Sequence, residues 1–502
     1  MTETRLNRAE LGWAIFLTVL LLFLAFYNLR YFPPTWFDEG IHSLAAKRLA
    51  LTGDYRLGPA LGPTVLLPVA GAFRVAGVAL IPARLVMVGY LLLCTFAFYL
   101  VARRLGGWKV AVVATLLLIG SPGANLLRWG RQVLGEVPAT FFLLMALLVW
   151  FRVADVGRSP RRWAMIGLAG ALTGLAILTK NQFLLLLPAW AIVWLVDRWV
   201  HRRFETWEPV VVMGVALLGV LGWYALQGLV FPGGDRLMEQ NVREWSGALN
   251  RGLFTLSFRR MMDAVRFVTD KEAFYGLMLP GVLYGALLSL RSSSRSARWT
   301  LVTIASVVWL GWFLLLSAAW PRYAFLPLVF GAICVAQLFH DLTDGFELSI
   351  RRLWASLRRG EWDPTLAGRA ALILLLVVMT GRYLYGRLSE VVAQDDAPQQ
   401  MAAYVVEHVP PDAEIETYDP EICFLAGHSC HLPGSQAMDA AIKYVWYDGT
   451  VPSAYHDFAS YGAPYLLIGD FSRLVDMYDE EVVVREYDLL VTIGGYELYV
   501  RK

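Results

Sequence analysis

Long apolar runs recur along most of this chain, and they decide what it can fold into. Runs such as "LGWAIFLTVLLLFLAFYNL" and "RAALILLLVVMTG" approach or reach the roughly 20 residues that a membrane-spanning helix needs. Of the 502 residues, 57% are apolar and only 17% are charged, which is not the composition of a soluble enzyme. The sequence therefore predicts an all-α polytopic membrane protein.

About eleven transmembrane helices are expected. The first follows a short arm with Arg5 and Arg8, and no small-residue cleavage pattern comes after it, so it is predicted to be an uncleaved span. Residues 64–82 are also apolar, but Arg74 lies at their middle and prolines interrupt them, which favours a juxtamembrane or re-entrant helix in the first outer loop. The predicted spans lie near residues 11–29, 83–101, 110–126, 133–151, 164–179, 183–196, 209–230, 274–290, 299–319, 323–339 and 368–385.

Arginine-rich loops set the expected orientation. With the N-terminus inside, five arginine-rich loops between spans become cytoplasmic, as the positive-inside rule expects. The same count puts Asp38 and everything after residue 385 outside. We therefore expect a multi-pass plasma-membrane protein whose site and C-terminus are extracytoplasmic. The net charge of only +3 gives no reason to expect nucleic acid as a partner.

Acids and prolines replace the long apolar runs in the last part of the chain. We therefore expect two domains, a membrane domain at 1–385 and a small soluble extracytoplasmic α/β domain at 386–502. Predicted helices there are "PQQMAAYVVEHV" and "DFSRLVDMYDEE". Predicted strands are "AEIETYD", "APYLLIGD", "EVVVREYDLL" and "GYELYVRK".

Two segments outside the spans leave alternatives open. The motif "CFLAGHSCH" places Cys423 and Cys430 beside two histidines, and it is compatible with a disulfide, a zinc site or free thiols. The outer loop at 233–268 is amphipathic, which suits either a lid over a site or a helix lying on the membrane surface.

The most informative residues are the charges at the outer ends of spans. A cation near membrane depth costs a few kcal/mol, about 2.5–3.5 at a helix centre, so an anionic partner is expected beside it. Cations that hold a phosphate and a carboxylate that accepts a proton suit a substrate with a phosphate next to its reacting carbon. No glycine-rich phosphate loop is found, which favours a phosphate on a membrane lipid over a nucleotide. The cations are Arg128, Arg131, Lys180 and Arg322, and the acids are Asp38, Glu39 and Glu136.

These residues and their surroundings resemble a known family, the GT-C membrane glycosyltransferases. The resemblance is to glycosyltransferase family 39 of the bacterial type, which includes protein O-mannosyltransferases and aminoarabinose transferases, and it covers about residues 10–390. It depends on the order and spacing of "WFDEGIHSLAAKRLALTGDY", "PARLVMVGYLLLCTFAFYLVARRLGG", "GRQVLGEVPATFFLLMALLVWF", "GLAILTKNQFLLLLPAW" and "PRYAFLPLVF".

The resemblance implies an inverting transferase that moves a sugar from a polyprenyl-phosphate carrier to an acceptor hydroxyl at the outer face of the membrane. The sugar is a hexose or pentose, and the acceptor is a lipid, a glycan or a protein. The chain departs from the family in two motifs, which read "TKNQ" and "GP" instead of "TKGP" and "PP". The resemblance implies Asp38 as general base with Glu136 assisting, and Lys180 and Arg322 as phosphate ligands. Their position at the same outer face adds Glu39 as a further catalytic candidate, and Arg131 and Arg128 as further phosphate ligands.

Each of these assignments has an alternative. Asp38 also suits an N-cap position, Lys180 and Arg322 suit interfacial snorkelling, and Glu136 suits an ion pair with Arg131. No cofactor is required, but a divalent metal ion held by Asp38, His42 and Glu136, with Glu39 nearby, is an open alternative. At the level of the whole protein, the alternative is a transporter or flippase of an anionic lipid or lipid-linked sugar.

Overall fold

The computed structural model describes residues 7–55, 61–153, 155–157, 159–201, 207–231, 254–291, 294–347, 358, 363–447 and 449–502. Most of the predicted amphipathic loop at 233–268 lies outside this part of the chain. Its described end, from residue 258, is an amphipathic helix.

The membrane part is a bundle of helices. Polar side chains begin several of them. Asn7 accepts hydrogen bonds at the start of the first helix, Ser159 at the start of the eighth, and Asp363 at the start of the fifteenth. In chain order the helices are α1 (Arg8–Phe26), α2 (Phe37–Thr52), α3 (Pro63–Ala76), α4 (Leu80–Gly106), α5 (Trp108–Gly120), α6 (Leu126–Arg131), α7 (Glu136–Val153), α8 (Pro160–Thr179), α9 (Leu186–Val196), α10 (Glu208–Val230), α11 (Phe258–Thr269), α12 (Met278–Ser289), α13 (Ser294–Leu315), α14 (Phe325–Leu342) and α15 (Pro364–Val392).

Nine helices in the described ranges are long and apolar enough to cross a bilayer. Two of them gain length from short turns, because 3₁₀ turns at Asn181–Leu185 and Pro321–Ala324 lead into α9 and α14. The two remaining predicted spans, at 110–126 and 274–290, fall on the shorter apolar helices α5 and α12. The segment at 64–82, which was predicted as a juxtamembrane or re-entrant helix, overlaps α3, another of the shorter apolar helices. The fold-class prediction is confirmed. The nine helices are α1, α4, α7, α8, α9, α10, α13, α14 and α15.

Charged groups separate between the two ends of the bundle. The described parts of the arginine-rich loops are in contact at one end, where Arg298 pairs with Asp155 and Lys109 donates to the Gly345 carbonyl. Asp38 and Lys180 lie at the opposite end, at the start of α2 and directly after α8. The described residues that the charge rule places on one side of the membrane therefore share one end of the structure.

The C-terminal part forms a five-stranded sheet flanked by short helices. The strand order is β2-β1-β3-β5-β4, in which β1 is parallel to both neighbours and β5 is antiparallel to β3 and β4. A disulfide joins Cys423 to Cys430. We call residues 397–502 the sheet unit. Its elements are α16 (Ala397–His408), β1 (Ile415–Thr417), α17 (Pro420–Ala426), β2 (Cys430–His431), α18 (Ser435–Tyr447), α19 (Phe458–Tyr461), β3 (Tyr465–Ile468), α20 (Asp470–Leu474), α21 (Glu480–Glu486), β4 (Tyr487–Ile493) and β5 (Tyr496–Arg501).

Two local predictions in the sheet unit were wrong. The segment "EVVVRE" was predicted as the first half of a strand, but it is the helix α21, because Asp479 accepts hydrogen bonds from the amides of Glu481 and Val482. The predicted helix "DFSRLVDMYDEE" ends early, at Leu474. The predicted domain boundary at residue 385 falls inside α15, which continues to Val392.

Close backbone packing ties α3 to the end of α8. The Gly62 amide donates to the Thr179 carbonyl at 3.1 Å, and the Thr64 and Thr179 hydroxyls are 2.7 Å apart. A Cβ on Gly62 would lie 1.5 Å from the Leu178 carbonyl oxygen, so only glycine fits there. This contact fixes the chain immediately before Lys180.

We predict that Gly62→Ala destabilises the fold by about 1–3 kcal/mol, because the added methyl group must force α3 away from α8. Gly71→Ala in the same helix is the matched control, since a Cβ there meets nothing within 4 Å. The measurement is the thermal unfolding midpoint of the purified protein in detergent. Equal midpoints for the two variants would contradict the described contact.

Candidate functional site

Four charged side chains from separate parts of the chain meet at one end of the bundle. The Arg322 guanidinium donates from Nη1 to Asp38 Oδ2 at 2.5 Å, and its Nε lies 3.0 Å from Glu136 Oε1. Lys180 donates from Nζ to the same Glu136 oxygen. We call Asp38, Glu136, Lys180 and Arg322 the charge cluster. Its two carboxylates and two cations carry no net charge together.

Each member of the charge cluster stands where a secondary-structure element begins or ends. Asp38 is the second residue of α2, and Glu136 is the first residue of α7. Lys180 follows the last residue of α8, and Arg322 lies in the 3₁₀ turn before α14. Side chains at helix ends can converge on one surface of a bundle without interrupting the apolar spans.

The exposure of the cluster differs between its members. The Asp38 side chain keeps 32% of its surface, whereas Glu136 keeps 4% and Lys180 keeps 7%. Asp38 is therefore the carboxylate that a substrate from outside the bundle can reach. Burial raises the pKa of Asp38, but the charges of Arg322, His42 and Lys180, with the hydrogen bond from Arg322, together outweigh it and hold that pKa below the ordinary value. Asp38 is consequently ionised at neutral pH.

Glu39 points away from the charge cluster. It forms a two-pronged ion pair with Arg84, with oxygen to nitrogen distances of 2.9 and 2.6 Å, and both side chains are fully buried. Arg84 also donates to the carbonyls of Leu29 and Pro33, each at 2.8 Å. The pair thus holds the loop between α1 and α2 and fixes the start of the helix that carries Asp38.

Sequence reasoning missed Arg84 as part of this region. The signal was present, because "PARL" puts an arginine inside the predicted span 83–101, where a buried cation requires a partner. The sequence could not show that the partner is Glu39, because 45 residues separate the two.

The two remaining predicted cations lie in different surroundings. Arg131 is buried and donates to the carbonyls of Leu24 and Tyr27 at 3.0 and 2.9 Å, so it holds the end of α1. Arg128 lies 5.5 Å from the Trp129 ring centre, and Arg322 lies 5.9 Å from the same ring. The structure therefore places Arg128 near an indole that Arg322 of the cluster also approaches, and it does not bring Arg131 to the cluster.

The alternatives raised for single residues can be compared with these contacts. Asp38 is not an N-cap, because Trp36 holds that position and no side chain caps α2. Lys180 and Arg322 do not snorkel to the surface, since both are largely buried against carboxylates. Glu136 pairs with Lys180 and Arg322 instead of Arg131.

The residues proposed for a metal ion are already engaged. His42 Nδ1 lies 2.7 Å from the Val133 carbonyl, and burial lowers its pKa below the ordinary value. Asp38 and Glu136 face cations, and in the described ranges no three His, Cys, Asp or Glu side chains converge on one point. This arrangement does not fit a bound divalent ion, and no step below depends on one.

Comparison with known proteins agrees with this architecture. A family model described as dolichyl-phosphate-mannose-protein mannosyltransferase matches residues 61–224. ArnT from Cupriavidus metallidurans, solved with undecaprenyl phosphate bound, superposes with a TM-score of 0.61 at 15% identity, covering 97% of this chain and 98% of that one. No match is found among curated protein sequences.

A second solved structure shares the fold across a longer protein. The archaeal oligosaccharyltransferase AglB from Archaeoglobus fulgidus, in complex with an inhibitory peptide and a dolichol-phosphate, gives a TM-score of 0.60 at 12% identity, covering 99% of this chain and 74% of that one. The chain therefore shares the fold of these two solved proteins. Its fold is GT-C, and the predicted resemblance to GT-C glycosyltransferases is confirmed.

We predict that Arg84→Met destabilises the protein by about 3–5 kcal/mol, because it leaves the Glu39 carboxylate buried without its partner. The double variant Glu39→Gln with Arg84→Met is expected to recover part of this loss, because it removes both charges. Thermal unfolding in detergent measures both effects.

The matched control for this pair is Arg48→Met, which breaks the exposed ion pair between Arg48 and Asp54 in the same outer loop. Exposed pairs contribute about 0–1 kcal/mol, so its midpoint should stay close to that of the wild type. If Arg84→Met behaves like Arg48→Met, the Glu39–Arg84 pair does not hold this loop.

Proposed function

We propose that this protein is an inverting glycosyltransferase that moves a sugar from a polyprenyl-phosphate-linked donor to an acceptor hydroxyl. The observation that carries the proposal is the charge cluster, in which an accessible carboxylate lies against buried cations at one end of a membrane bundle. The GT-C relatives solved with undecaprenyl phosphate or dolichol-phosphate support a lipid-phosphate ligand.

In the proposed reaction Asp38 is the general base. It takes the proton of the acceptor hydroxyl while the acceptor oxygen forms a bond to the anomeric carbon of the sugar. The bond between that carbon and the donor phosphate oxygen breaks, and the lipid phosphate leaves as an anion. No separate acid is needed for this leaving group, and a positioned base contributes about 10²–10⁴-fold to the rate.

Lys180 and Arg322 stabilise the departing phosphate. Their positive charges are held in place before the reaction by Glu136, which contacts both, so little reorganisation is required when negative charge develops. Arg128, which lies near the same Trp129 ring as Arg322, adds positive potential in the same region. In this proposal Glu39 and Arg131 shape the site and do not touch the donor.

The Asp38–Arg322 ion pair also suggests an order of events. A donor phosphate competes with Asp38 for the Arg322 guanidinium, and Asp38 Oδ2 loses its cationic partner as the phosphate binds. Loss of that partner raises the basicity of the carboxylate. The base is thus strengthened at the moment when the donor occupies the site.

We place the reaction at the outer face of the plasma membrane. The arginine-rich loops lie at the opposite end of the bundle, and the positive-inside rule assigns that end to the cytoplasm. The donor then approaches from the outer leaflet, and the sheet unit lies outside. The acceptor hydroxyl belongs to a lipid, a glycan or a protein, and the sugar is a hexose or pentose.

We predict that Asp38→Asn lowers sugar transfer by about 10²–10⁴-fold while leaving the affinity for undecaprenyl phosphate within a few-fold of the wild type. The assay uses purified protein in nanodiscs, a panel of radiolabelled polyprenyl-phosphate-linked sugars, and membranes as the source of acceptor. Undecaprenol, which lacks the phosphate, is the control ligand in the binding measurement. Undiminished transfer by Asp38→Asn would remove Asp38 as the base.

The same assay separates the transferase from the alternative of a transporter or flippase. A transferase breaks the bond between the sugar and the lipid phosphate and releases free polyprenyl phosphate. A flippase moves the intact lipid-linked sugar between leaflets. Translocation of the donor without release of polyprenyl phosphate would therefore support the alternative.

A second prediction concerns pH. Because the pKa of Asp38 lies below its ordinary value, Asp38 stays ionised through the neutral range, and kcat/KM falls only when the pH drops through that lowered pKa. Arg322→Gln removes the charge that lowers it, so the acidic limb of the profile should move to higher pH. Arg128→Gln is the control, since Arg128 does not contact Asp38, and its limb should not move. If the acidic limb of the pH profile does not move in Arg322→Gln, the proposed pairing of Arg322 with Asp38 is contradicted.

A further inference from the structure

Aromatic contacts join the sheet unit to the helix that carries Asp38. The Phe37 ring, directly before Asp38, stacks on Phe471 of α20 with ring centres 3.9 Å apart. Tyr418 approaches the Phe37 ring at 5.0 Å, and Trp36 meets Phe471 edge-on at 5.9 Å. The start of α2 is therefore held against two aromatic rings of the sheet unit, Phe471 and Tyr418, next to Asp38.

A second aromatic contact joins the sheet unit to the turn that carries Arg322. Trp320 precedes that turn and meets Trp446 of α18 edge-on, with ring centres 4.9 Å apart. Arg260 of α11 supports Trp446, because its guanidinium lies 5.9 Å from the indole and donates to the Val445 carbonyl. Asp38 and Arg322 therefore each lie close in sequence to an aromatic residue that contacts the sheet unit.

Phe471 is itself fixed by the interior of the sheet unit. The buried Asp419 carboxylate accepts hydrogen bonds from the amides of Gly469 and Phe471 at 2.7 and 3.1 Å, and from Ser472. These bonds tie the turn before α20 to the end of β1. Because Phe471 is fixed in this way, its stacking contact holds the Phe37 ring in a defined position relative to the sheet.

The backbones of α2 and α17 are also in direct contact. A Cβ on Gly40 would lie 2.3 Å from the Glu421 amide nitrogen, so any side chain at residue 40 would force the two helices apart. The aromatic stack and this backbone contact lie on either side of Asp38 in the sequence. The helix that carries the base is therefore seated on the sheet unit as well as on the membrane bundle.

We infer that Phe471 and Trp446 are positioning residues for sugar transfer. This inference depends on the function proposed above. Phe471 holds the start of α2 beside Asp38, and Trp446 holds the turn that carries Arg322, so that the base and the phosphate-binding cation keep their relative positions. A misplacement of about 1 Å in a reacting group can lower a rate by about 100-fold. The sheet unit is then part of the catalytic apparatus and not a separate appendage.

The test compares Phe471→Leu with Phe458→Leu in the full-length protein. Phe458 is the matched control, because it is buried in the same unit and its described ring contacts, with His456, Tyr478 and Tyr487, all lie within that unit. We expect Phe471→Leu to lower kcat by about 10–100-fold with little change in KM for the lipid-linked donor. Phe458→Leu should lower the unfolding midpoint at least as much while keeping kcat within a few-fold of the wild type. Phe471→Tyr should restore kcat, because a ring at this position keeps the stack.

The corresponding change at the other contact is Trp446→Ala. It should weaken binding of undecaprenyl phosphate by about tenfold through displacement of Arg322, and Trp446→Phe should restore most of the affinity. A tenfold loss of affinity is what we expect when one charged contact, between Arg322 and the phosphate, is weakened. Unchanged affinity in Trp446→Ala would overturn this half of the inference.

A readout that does not require activity is hydrogen exchange at the α2 amides. Phe471→Leu should increase exchange in α2, whereas Phe458→Leu should not. If the wild type transfers sugar and Phe471→Leu keeps its kcat, the inference is wrong and the proposed function stands. If the wild type transfers no sugar from any polyprenyl-phosphate donor although α2 loosens in Phe471→Leu, the proposed function fails, and the catalytic role of Phe471 fails with it.

Discussion

The structure depends on the guanidinium of Arg322, which bridges the carboxylates of Asp38 and Glu136 at one end of the bundle. Placing a charge at membrane depth costs free energy, and a buried charge without a partner destabilises a protein by several kcal/mol. With Lys180 on Glu136, the four charges cancel, so the cluster is tolerated beside apolar helices. In the proposed reaction an arriving anionic phosphate would unbalance this neutral cluster, and the imbalance would allow the carboxylate of Asp38 to act as a base.

The cluster lies where two different kinds of structure meet. Apolar helices supply Glu136, Lys180 and Arg322, whereas Asp38 belongs to a helix that also packs on the sheet unit through Phe37. In the proposed function a lipid-linked donor would approach from the bilayer and an acceptor from outside it, so a site at this junction would be open to both. The buried Glu39–Arg84 pair adds a rigid support beneath α2, because it ties the start of that helix to the loop after α1.

Much of the fold could be predicted from the sequence, because the length and hydropathy of a span are local properties. Each predicted span falls on a helix, although those at 110–126 and 274–290 are shorter than a full crossing. Local reasoning failed at "EVVVRE", where β-branched residues favoured a strand. The capping carboxylate of Asp479 and the acids of the first turn favoured a helix and prevailed.

The sequence by itself determined which charges are unusual. Sidedness, counted from the arginine-rich loops, singled out the outward cations Arg128, Arg131, Lys180 and Arg322, which the charge rule makes costly there, together with the acids on the same side, Asp38, Glu39 and Glu136. Only the tertiary structure decided the pairing. It pairs Arg322 with Asp38, which is 284 residues away in the chain, and Glu39 with Arg84. It also shows that Arg131 donates to the carbonyls at the end of α1. Charge and hydropathy depend on neighbours in the chain, whereas the choice of partner depends on how distant helices pack, which no local pattern records.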